Sequence, residues 1–492
     1  MKINLLLENK EIYLEAKKGE NLLDVLTRNK IDIPTDCGKK GKCKKCAVRL
    51  ISGSVDGTCR DDKGNILSCL SFIKEPITIS IQEKHKYHQE SHDSLKSVEA
   101  VNKNSTFGIA FDLGTTTLAF SLVDLEAKKV CERYTVLNKQ SVYGADVITR
   151  ISASNEGNLE SLHKIVCEQL EEAIQYFIKK HGLKEIKRVV VAGNTTMLHL
   201  FLNVSPESIG VAPYNPIFLE HKKLSGSDIN ISCQTIDVLP SCSAFVGADI
   251  TAGAYLINLP NNSLLVDLGT NGELLYHKDN KYFATSTAAG PCLEGASMDC
   301  GVGGIKGAVC KVSSSNSGVD FETVGNEEAC GICGAGYVDL IASLLNSGKI
   351  DETGCLLENN DKYNLTEKIY ISASDVRKFQ LAKSAISSGI ETLLKEIEVN
   401  KEDVENIFLA GGIGYYVNVK NAITVGLLPK SFNNKVHVVG NSSLFGAEKC
   451  FFDENAINDM RKIAENSSTI DLNTSKFFSD SYMMNMLFDL NS

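Results

Sequence analysis

The sequence lacks any long apolar run: none approaches the roughly 18–20 consecutive apolar residues that a membrane-spanning helix needs. Its first residues, from Met1 to Glu8, meet charge too early for a secretory signal peptide. Positive charge is also scarce, since 51 Lys and Arg stand against 61 Asp and Glu and the net charge is −10. These absences argue against a membrane protein and against nucleic acid as the main partner, so the expected location is the cytoplasm.

Two familiar motifs are missing as well. No G-x4-G-K-[ST] loop occurs, which excludes a Walker-type nucleotide site, and no cysteine cluster follows Cys450 that could hold C-terminal [4Fe–4S] clusters.

The chain is long and rich in cysteine. Its 492 residues suffice for roughly three or four domains. Of its 16 cysteines, five fall within the first 70 residues.

Residues 1–84 have the pattern of a small β-rich domain. Charged turns separate short apolar segments, and one segment has the 3–4 residue spacing of a helix. The last segment alternates cleanly between apolar and polar residues and is expected to close the sheet. Strands are predicted at 2–7, 11–14, 47–51 and 76–81, and a helix is predicted over 21–30.

The early cysteines are arranged as C-x5-C-x2-C at Cys37, Cys43 and Cys46. A plant-type iron–sulfur loop is C-x4-C-x2-C with a distant fourth cysteine, so the first gap is one residue longer here. Glycines between the cysteines let the loop wrap with backbone N–H groups aimed at the sulfurs. The fourth ligand is expected to be Cys69 rather than Cys59, since in the ferredoxin-like β-grasp fold that this pattern resembles the last ligand precedes the closing strand. A zinc site is the alternative, although only one C-x2-C pair is present.

Fold pattern and spacing together resemble a [2Fe–2S] ferredoxin domain of the β-grasp type. The domain is locally basic, with 16 Lys and Arg against 12 Asp and Glu in residues 1–84. The basic residues around the cysteines offset the charge of an iron–thiolate centre or steer an acidic electron-transfer partner. They are Lys39, Lys40, Lys42, Lys44 and Lys45.

Residues 85–105 carry no apolar periodicity and are predicted to be a linker, in which His85, His88 and His92 are solvated rather than metal-binding. From Phe107 onward, strands alternate with helices, the pattern of layered α/β domains. Glycine-rich strand–turn units at 108–118 and 264–274 suggest a duplicated architecture. The predicted division is therefore a first lobe over 106–260, a second over 261–455 and a C-terminal tail over 456–492.

Both repeated units place an Asp-Leu-Gly-Thr sequence after an apolar strand. A glycine there lets phosphate approach the backbone, threonines supply donors, and the aspartate can orient magnesium-bound water. A third segment, 406–414, is a strand leading into a glycine-rich turn against which adenine can lie. The candidate residues are Asp112, Gly114, Thr115, Thr116 and Thr117; Asp267, Gly269, Thr270 and Asn271; and Gly411, Gly412 and Gly414, with Glu273 as a candidate to orient the attacking water.

These three segments resemble the phosphate-1, phosphate-2 and adenosine motifs of the acetate kinase, sugar kinase, DnaK-type chaperone and actin superfamily. Further segments resemble one family within it, the reductive activators of corrinoid proteins. They include Ala192-Gly193-Asn194-Thr195-Thr196, Phe245-Val246-Gly247-Ala248-Asp249, Ser286-Thr287-Ala288-Ala289-Gly290-Pro291 with Glu294-Gly295-Ala296, Gly331-Ile332-Cys333-Gly334, and Gly440-Asn441-Ser442-Ser443.

This resemblance implies an α+β β-grasp ferredoxin-like domain followed by a two-lobed α/β actin-like ATPase with ribonuclease H-like folds. It implies a [2Fe–2S] cluster, ATP and Mg²⁺ as cofactors. The implied function is ATP-dependent reduction of an inactive Co(II) corrinoid protein of a methyltransferase system to Co(I), with an upstream low-potential electron donor and with homodimerisation left open. The alternatives are an ATP-driven electron donor to another low-potential enzyme, such as a dehydratase, and an ATP-binding redox-sensing scaffold.

The sequence departs from the family pattern at Gly301-Val302-Gly303-Gly304, where the family more often has Gly-Met-Arg-Ala and therefore an arginine. The segment between the ferredoxin and ATPase parts is also short. Two further motifs have structural interpretations. Cys330 and Cys333 form a C-x-x-C in a segment whose small residues suit close helix packing, although redox or metal chemistry is the alternative. His199 is expected to be a core histidine rather than a ligand.

Overall fold

The computed structural model shows how these segments fold. It describes residues 1–7, 10–29, 31, 33, 35, 37–57, 59–61, 63–81, 88–89, 105–315, 318–357 and 361–489. The predicted linker lies outside the described residues except for 88–89 and its last residue. No helix within the described ranges is long and apolar enough to cross a membrane.

The N-terminal domain is the expected β-grasp fold. Asn21 caps its helix by accepting a hydrogen bond from the backbone N–H of Leu23, and the apolar side of the helix is buried against the sheet. The final strand does not lie at the edge. It pairs with the first strand in parallel and with the third in antiparallel fashion, and therefore lies in the middle of the sheet. The elements are β1 (Lys2–Leu7), β2 (Lys10–Glu15), α1 (Leu22–Arg28), β3 (Ala47–Ser52), β4 (Val55–Asp56), β5 (Ile66–Leu67), β6 (Phe72–Ile73) and β7 (Ile77–Ser80).

The first lobe is built on a seven-stranded sheet. Three antiparallel strands come first, and two later strands add to them in parallel, as a ribonuclease H-like fold requires. The long helix covers one face, burying Leu162, Val166, Leu170 and Ile174 at spacings of four residues. The elements are β8 (His88–Gln89), β9 (Phe107–Leu113), β10 (Thr117–Asp124), β11 (Lys129–Leu137), α2 (Val147–Ala153), α3 (Leu159–His181), β12 (Ile186–Gly193), α4 (Thr195–Phe201), α5 (Glu207–Gly210), β13 (Lys222–Ser225), β14 (Cys233–Val238) and α6 (Ala248–Leu256).

The second lobe repeats the first. Its strands follow the order Val436–Gly440, Asn406–Ala410, Ser263–Leu268, Gly272–Lys278 and Lys281–Thr287 across the sheet, which corresponds to β14-β12-β9-β10-β11, so the predicted duplication is confirmed. Its elements up to the adenosine turn and beyond are β15 (Ser263–Leu268), β16 (Gly272–Lys278), β17 (Lys281–Thr287), β18 (Ala308–Ser315), β19 (Gly318–Thr323), β20 (Gly331–Ile332), α7 (Gly334–Asn346), β21 (Lys362–Asn364), β22 (Tyr370–Ser372), α8 (Ala373–Glu396), β23 (Asn406–Ala410), α9 (Val419–Thr424) and β24 (Val436–Gly440).

The last part of the chain returns to the first lobe. Helix α10 (Ser442–Lys449) packs against α6 and β9. Its Glu448 accepts hydrogen bonds from Ser121 and from the guanidinium of Arg133 in the first lobe. The division between lobes is thus not linear in sequence, because the helix that follows β24 packs on the sheet of the first lobe.

Residues 456–492, predicted as a tail, are ordered as far as the structure describes them. They form α11 (Ala456–Glu465), β25 (Ser467–Thr469), which extends the second sheet beside β17, and α12 (Lys476–Met484), which packs on α8. Phe488 is buried beyond α12, where the Lys383 ammonium lies 4.9 Å from the centre of its ring.

Candidate cluster site and nucleotide cleft

The four predicted cluster cysteines lie together as two pairs. The sulfurs of Cys46 and Cys69 are 3.1 Å apart, and Cys37 and Cys43 are hydrogen-bonded to each other. The described residues contain no group of three or more His, Cys, Asp or Glu side chains around one point for a single metal ion. Two thiolate pairs are the donor set of a [2Fe–2S] cluster, in which each iron takes two cysteines. The residues present therefore fit the cluster.

Backbone geometry holds the cysteine loop in this arrangement. Gly38 and Gly41 have φ values of +59° and +70°, a region that favours glycine. A Cβ on Gly41 would lie 2.4 Å from a methyl group of Leu70, so the loop packs tightly on the segment that carries Cys69. Ser68 fastens the two together, since its hydroxyl and backbone N–H both donate to the carbonyl of Cys46.

The thiol pKa values reflect the pairing. The hydrogen bond between Cys46 and Cys69 lowers the pKa of Cys46 to about 6 and raises that of Cys69, because one proton is shared between two close sulfurs. Burial disfavours the Cys37 thiolate, but backbone N–H groups of the loop donate to its sulfur and lower its pKa overall. Cys59, by contrast, is exposed. Burial raises the pKa of Cys43, so within the loop Cys37 and Cys46 are the two cysteines that favour the thiolate needed to bind iron.

The two Asp-Leu-Gly-Thr turns face each other across a cleft between the lobes. The hydroxyls of Thr116 and Thr270 are 2.9 Å apart. Both donate to one carboxylate oxygen of Glu294, at 3.0 and 2.5 Å. Gly114 is required in the first turn, since a Cβ there would lie 2.4 Å from the carbonyl of Thr117, whereas Gly269 has room for one. The structure therefore brings the two Asp-Leu-Gly-Thr segments together.

Each turn is preceded by a carboxylate in the cleft. Asp112 accepts hydrogen bonds from the Asn441 amide at 2.8 Å and from the Ser443 hydroxyl at 2.7 Å. Burial raises the pKa of Asp112 and, with Asp249, Asp112 and Glu294 nearby, raises the pKa of Asp267 well above its usual value. Burial and Asp112 raise the pKa of Asp249 to about 7. Such a concentration of carboxylates favours a cation, which would lower the cost of ionising them.

The comparisons with known proteins agree with this geometry. Three family descriptions match: 2Fe-2S iron-sulfur cluster binding domain over residues 5–74, RACo middle region over 107–262, and C-terminal domain of RACo, the ASKHA domain, over 261–491. The corrinoid activation enzyme RamQ of Eubacterium limosum is 36% identical over 419 residues, which are 78% of this chain and 70% of RamQ. The chain belongs to the family of reductive activators of corrinoid proteins.

Two more distant relatives support this membership. The [Co(II) methylated amine-specific corrinoid protein] reductase of Methanosarcina barkeri is 26% identical over 419 residues, covering 77% of this chain and 76% of that protein. A solved structure of a reductive activator for corrinoid, iron–sulfur protein superposes with a TM-score of 0.75 over 99% of each chain at 26% identity. In this activator family the N-terminal domain binds a [2Fe–2S] cluster, and the actin-like part binds ATP.

The turn predicted to seat adenosine lies directly beside the end of β15. Gly411 has a φ of +96°, and a Cβ on it would lie 2.5 Å from the carbonyl of Leu268 and 2.9 Å from a carboxylate oxygen of Asp267. Gly412 is exposed and has no neighbour within 4 Å of an added Cβ. Gly414 belongs to the short 3-10 helix Gly412–Tyr415. The turn therefore offers open backbone at Gly412 and a tight contact at Gly411.

These two glycines give a matched test of the adenosine site. We expect Gly412→Ala to leave the melting temperature unchanged and to weaken ATP binding about tenfold, or about 1.4 kcal/mol, because the methyl group occupies space that adenine would use. Gly411→Ala should lower the melting temperature, since its Cβ has no room even without nucleotide. Calorimetric titration and thermal unfolding measure the two effects. Unchanged ATP affinity in Gly412→Ala would place adenine elsewhere.

Glu273, the candidate to orient water, lies beside Asp267 rather than between the two turns. The two residues are paired in register on β15 and β16, and the Asn194 amide lies 3.4 Å from Glu273. Burial and the neighbours Asp249 and Asp267 raise its pKa well above the usual value. Glu273 therefore belongs to the same group of buried carboxylates as Asp267 and Asp249, and its role in orienting water stays a prediction.

Several residues of the cleft had no assigned role in the sequence. Glu294, Asp249, Asn441 and Ser443 all lie in segments that resemble the family, but only the fold shows what they touch. The cleft partners of Glu294, Asn441 and Ser443 lie between 24 and 331 positions away in the chain. The only sequence signal was the recurrence of small polar residues after apolar strands.

The structural interpretations of the remaining motifs hold. A Cβ on Gly334 would lie 1.7 Å from the carbonyl of Leu293, so the segment after Cys330 packs closely, and Cys333 is buried at the start of α7. Burial raises the pKa of Cys333 to about 11. His199 is fully buried, stacks on Phe218, and its ring nitrogens contact Thr195 and Ile217 backbone groups. It is a core histidine.

Proposed function

We propose that this chain reduces an inactive Co(II) corrinoid protein to Co(I), the state from which methyl transfer proceeds, and that ATP hydrolysis drives the electron transfer. The observation that carries the proposal is the presence, on one chain, of two thiol pairs fitted to a [2Fe–2S] cluster and a two-turn nucleotide cleft. The names of its relatives, a corrinoid activation enzyme and a corrinoid protein reductase, support corrinoid protein as the partner.

The need for ATP follows from the difference between the reduction potential of the cluster and the lower potential needed to reduce Co(II) to Co(I). When bound, a plant-type cluster supplies a one-electron carrier at about −400 mV. A one-electron transfer to a lower potential costs about 1.4 kcal/mol for every 59 mV. Cys37, Cys43, Cys46 and Cys69 are the proposed ligands. Their loop supplies backbone N–H groups to the sulfurs, and such donors favour the anionic state.

In the cleft, Thr116 and Thr270 are placed to donate to phosphate oxygens from opposite lobes, and Asp112 and Asp267 to hold Mg²⁺ through its bound waters. One carboxylate oxygen of Glu294 accepts hydrogen bonds from both threonine hydroxyls. A phosphate that takes these donors must displace the carboxylate or share a cation with it. The threonine–carboxylate contact therefore ties closure of the two lobes to the contents of the cleft.

The upstream reductant is proposed to be an acidic low-potential protein. Lys40, Lys42, Lys44 and Lys45 are exposed around the cysteine loop. A basic rim on an otherwise acidic chain of net charge −10 orients an acidic partner towards the cluster. The basic rim should raise the rate at which the two proteins associate, and this effect should weaken as ionic strength rises.

The test follows cobalt directly. The full chain, loaded with its cluster under anaerobic conditions, is mixed with a Co(II) corrinoid protein and a low-potential donor, and the Co(II) absorption is recorded. We expect Co(I) to accumulate with ATP and Mg²⁺ and to accumulate far less with a non-hydrolysable ATP analogue. A chain lacking residues 1–84 should hydrolyse ATP without delivering electrons. Equal Co(I) yields with and without ATP would overturn the proposal in favour of a sensing scaffold.

A further inference from the structure

The cysteine loop rests on the first lobe of the ATPase. The Thr35 hydroxyl, fully buried, donates to the carbonyl of Val142 at 2.6 Å. A Cβ on Gly38 would lie 3.1 Å from the carbonyl of Tyr143, and the Lys39 ammonium lies 5.4 Å from the centre of the Tyr143 ring. We call Val142 and Tyr143 the seat of the loop. The seat ends a short 3-10 helix, Lys139–Tyr143.

Both ends of this 3-10 helix are bonded to the phosphate-1 turn. At its start, the Asn138 amide donates to the carbonyl of Gly114 at 2.9 Å, and its backbone N–H donates to the carbonyl of Thr116 at 2.8 Å. At its end, the side chain of Arg150 connects the helix to the phosphate-1 turn. Its guanidinium donates to the carbonyl of Gly144, next to the seat, at 3.0 Å and to the carbonyl of Thr115 at 2.6 Å.

Arg150 is an unusual group to find here. It is fully buried, and its hydrogen bonds run to two carbonyls, the Gln140 amide oxygen and the Met197 sulfur rather than to a carboxylate. Burial lowers its pKa to about 9, with Asp146 acting in the opposite direction, so it remains a cation at neutral pH. A buried cation bonded only to neutral groups is stabilised when negative charge arrives nearby. Nucleotide phosphates would supply that charge.

We propose that Arg150 is a positioning residue that couples nucleotide binding at the phosphate-1 turn to the seating of the cysteine loop on Val142 and Tyr143. Because the peptide unit is planar and trans, holding the Thr115 carbonyl on one side directs the Thr116 N–H to the other. A phosphate accepting from that N–H polarises the peptide and strengthens the Arg150 hydrogen bond. Nucleotide therefore stabilises the seat, and the seated loop strengthens nucleotide binding. This inference rests on the proposed function of both sites.

Because binding and seating are thermodynamically linked, the inference can be tested by a substitution that lies outside the cleft. If nucleotide binding favours seating by a given factor, then loss of the seated state must weaken nucleotide binding by that same factor. Thr35→Val removes the hydroxyl that reaches Val142 without touching the cleft. We expect it to raise the dissociation constant of a non-hydrolysable ATP analogue with Mg²⁺ by about fivefold, the lower end of typical coupling. Thr27→Val is the matched control, since the buried Thr27 hydroxyl has no hydrogen-bond partner among the described residues.

The second measurement concerns Arg150 itself. In the full cluster-loaded chain, the analogue should slow amide exchange of residues 139–144 by about fivefold or more, the same coupling factor. Arg150→Lys keeps a charge but cannot span two carbonyls, so the analogue should bind while this slowing is lost. Arg133→Lys, at the Glu448 contact, controls for general loosening. A wild-type chain that binds no nucleotide would defeat the proposed function. Nucleotide binding that is equally tight in Thr35→Val, or undiminished slowing in Arg150→Lys, would defeat this inference alone.

Discussion

Cys69→Ser is expected to abolish the [2Fe–2S] cluster and with it all electron delivery, whereas Cys59→Ser should leave both intact. Cys69 is buried with its sulfur 3.1 Å from that of Cys46, in the segment that Ser68 fastens to the cluster loop. Cys59 is exposed, two residues before a turn that the side chain of Asp61 closes. Losing one of four thiolates leaves one iron without half of its protein ligands.

Iron and sulfide content, the visible spectrum and the electron paramagnetic resonance signal of the reduced protein measure this effect. The wild type and Cys59→Ser should contain about two irons and two sulfides per chain, the content of one plant-type cluster. Loss of iron in Cys59→Ser with retention in Cys69→Ser would show that the ligand assignment is wrong. Zinc in place of iron would remove the redox function from the N-terminal domain altogether.

Asp267→Asn is expected to reduce ATP hydrolysis by about a hundredfold or more while making the nucleotide-free protein more stable. The loss is of the size seen when one charge-stabilising group is removed from a reaction site. The gain in stability follows from the raised pKa of Asp267, which burial and neighbouring carboxylates impose. A carboxyl whose folded pKa is raised destabilises the fold as the pH climbs above about 4, where the unfolded chain ionises. The amide has no such cost.

The melting temperature of the wild type should therefore fall as the pH rises above about 4, and that of Asp267→Asn should fall less. Asp339→Asn is the control, since Asp339 is buried in the second lobe and bonds to Asn421 and the Val312 N–H instead of facing the cleft. Asp112→Asn should lose both activity and stability, because Asp112 accepts from Asn441 and Ser443. Full ATPase activity in both Asp112 and Asp267 variants would refute the two-sided cleft.

Sequence patterns were sufficient for features that depend on neighbours in the chain. The cysteine spacing, the two Asp-Leu-Gly-Thr turns and the strand leading to Gly411 each form a local structure whose glycines and apolar runs are visible in the sequence. The paired lobes followed from the repetition of such units. The central position of β7 could not be predicted in this way, because strand order depends on which strands pair with each other when the chain folds.

The side-chain contacts between distant segments could not be predicted from the sequence either. Nothing near Glu294 indicates that it meets Thr116, which is 178 positions away. Nothing near Arg150 shows that it joins the carbonyls of Thr115 and Gly144. These contacts depend on how two sheets and a returning helix pack, and a single polar side chain carries no periodic signal of its partner.

The return of α10 to the first lobe has a consequence for synthesis on the ribosome. The N-terminal domain is complete once residue 81 has emerged, so it can fold and accept iron while the rest is still being translated. The first lobe must wait far longer. Ser121 and Arg133 meet Glu448, and Asp112 meets Ser443, only after more than 300 further residues have been made. The nascent chain thus acquires its metal-binding module first and its ATP-hydrolysing module last, which keeps an unfinished chain from consuming nucleotide.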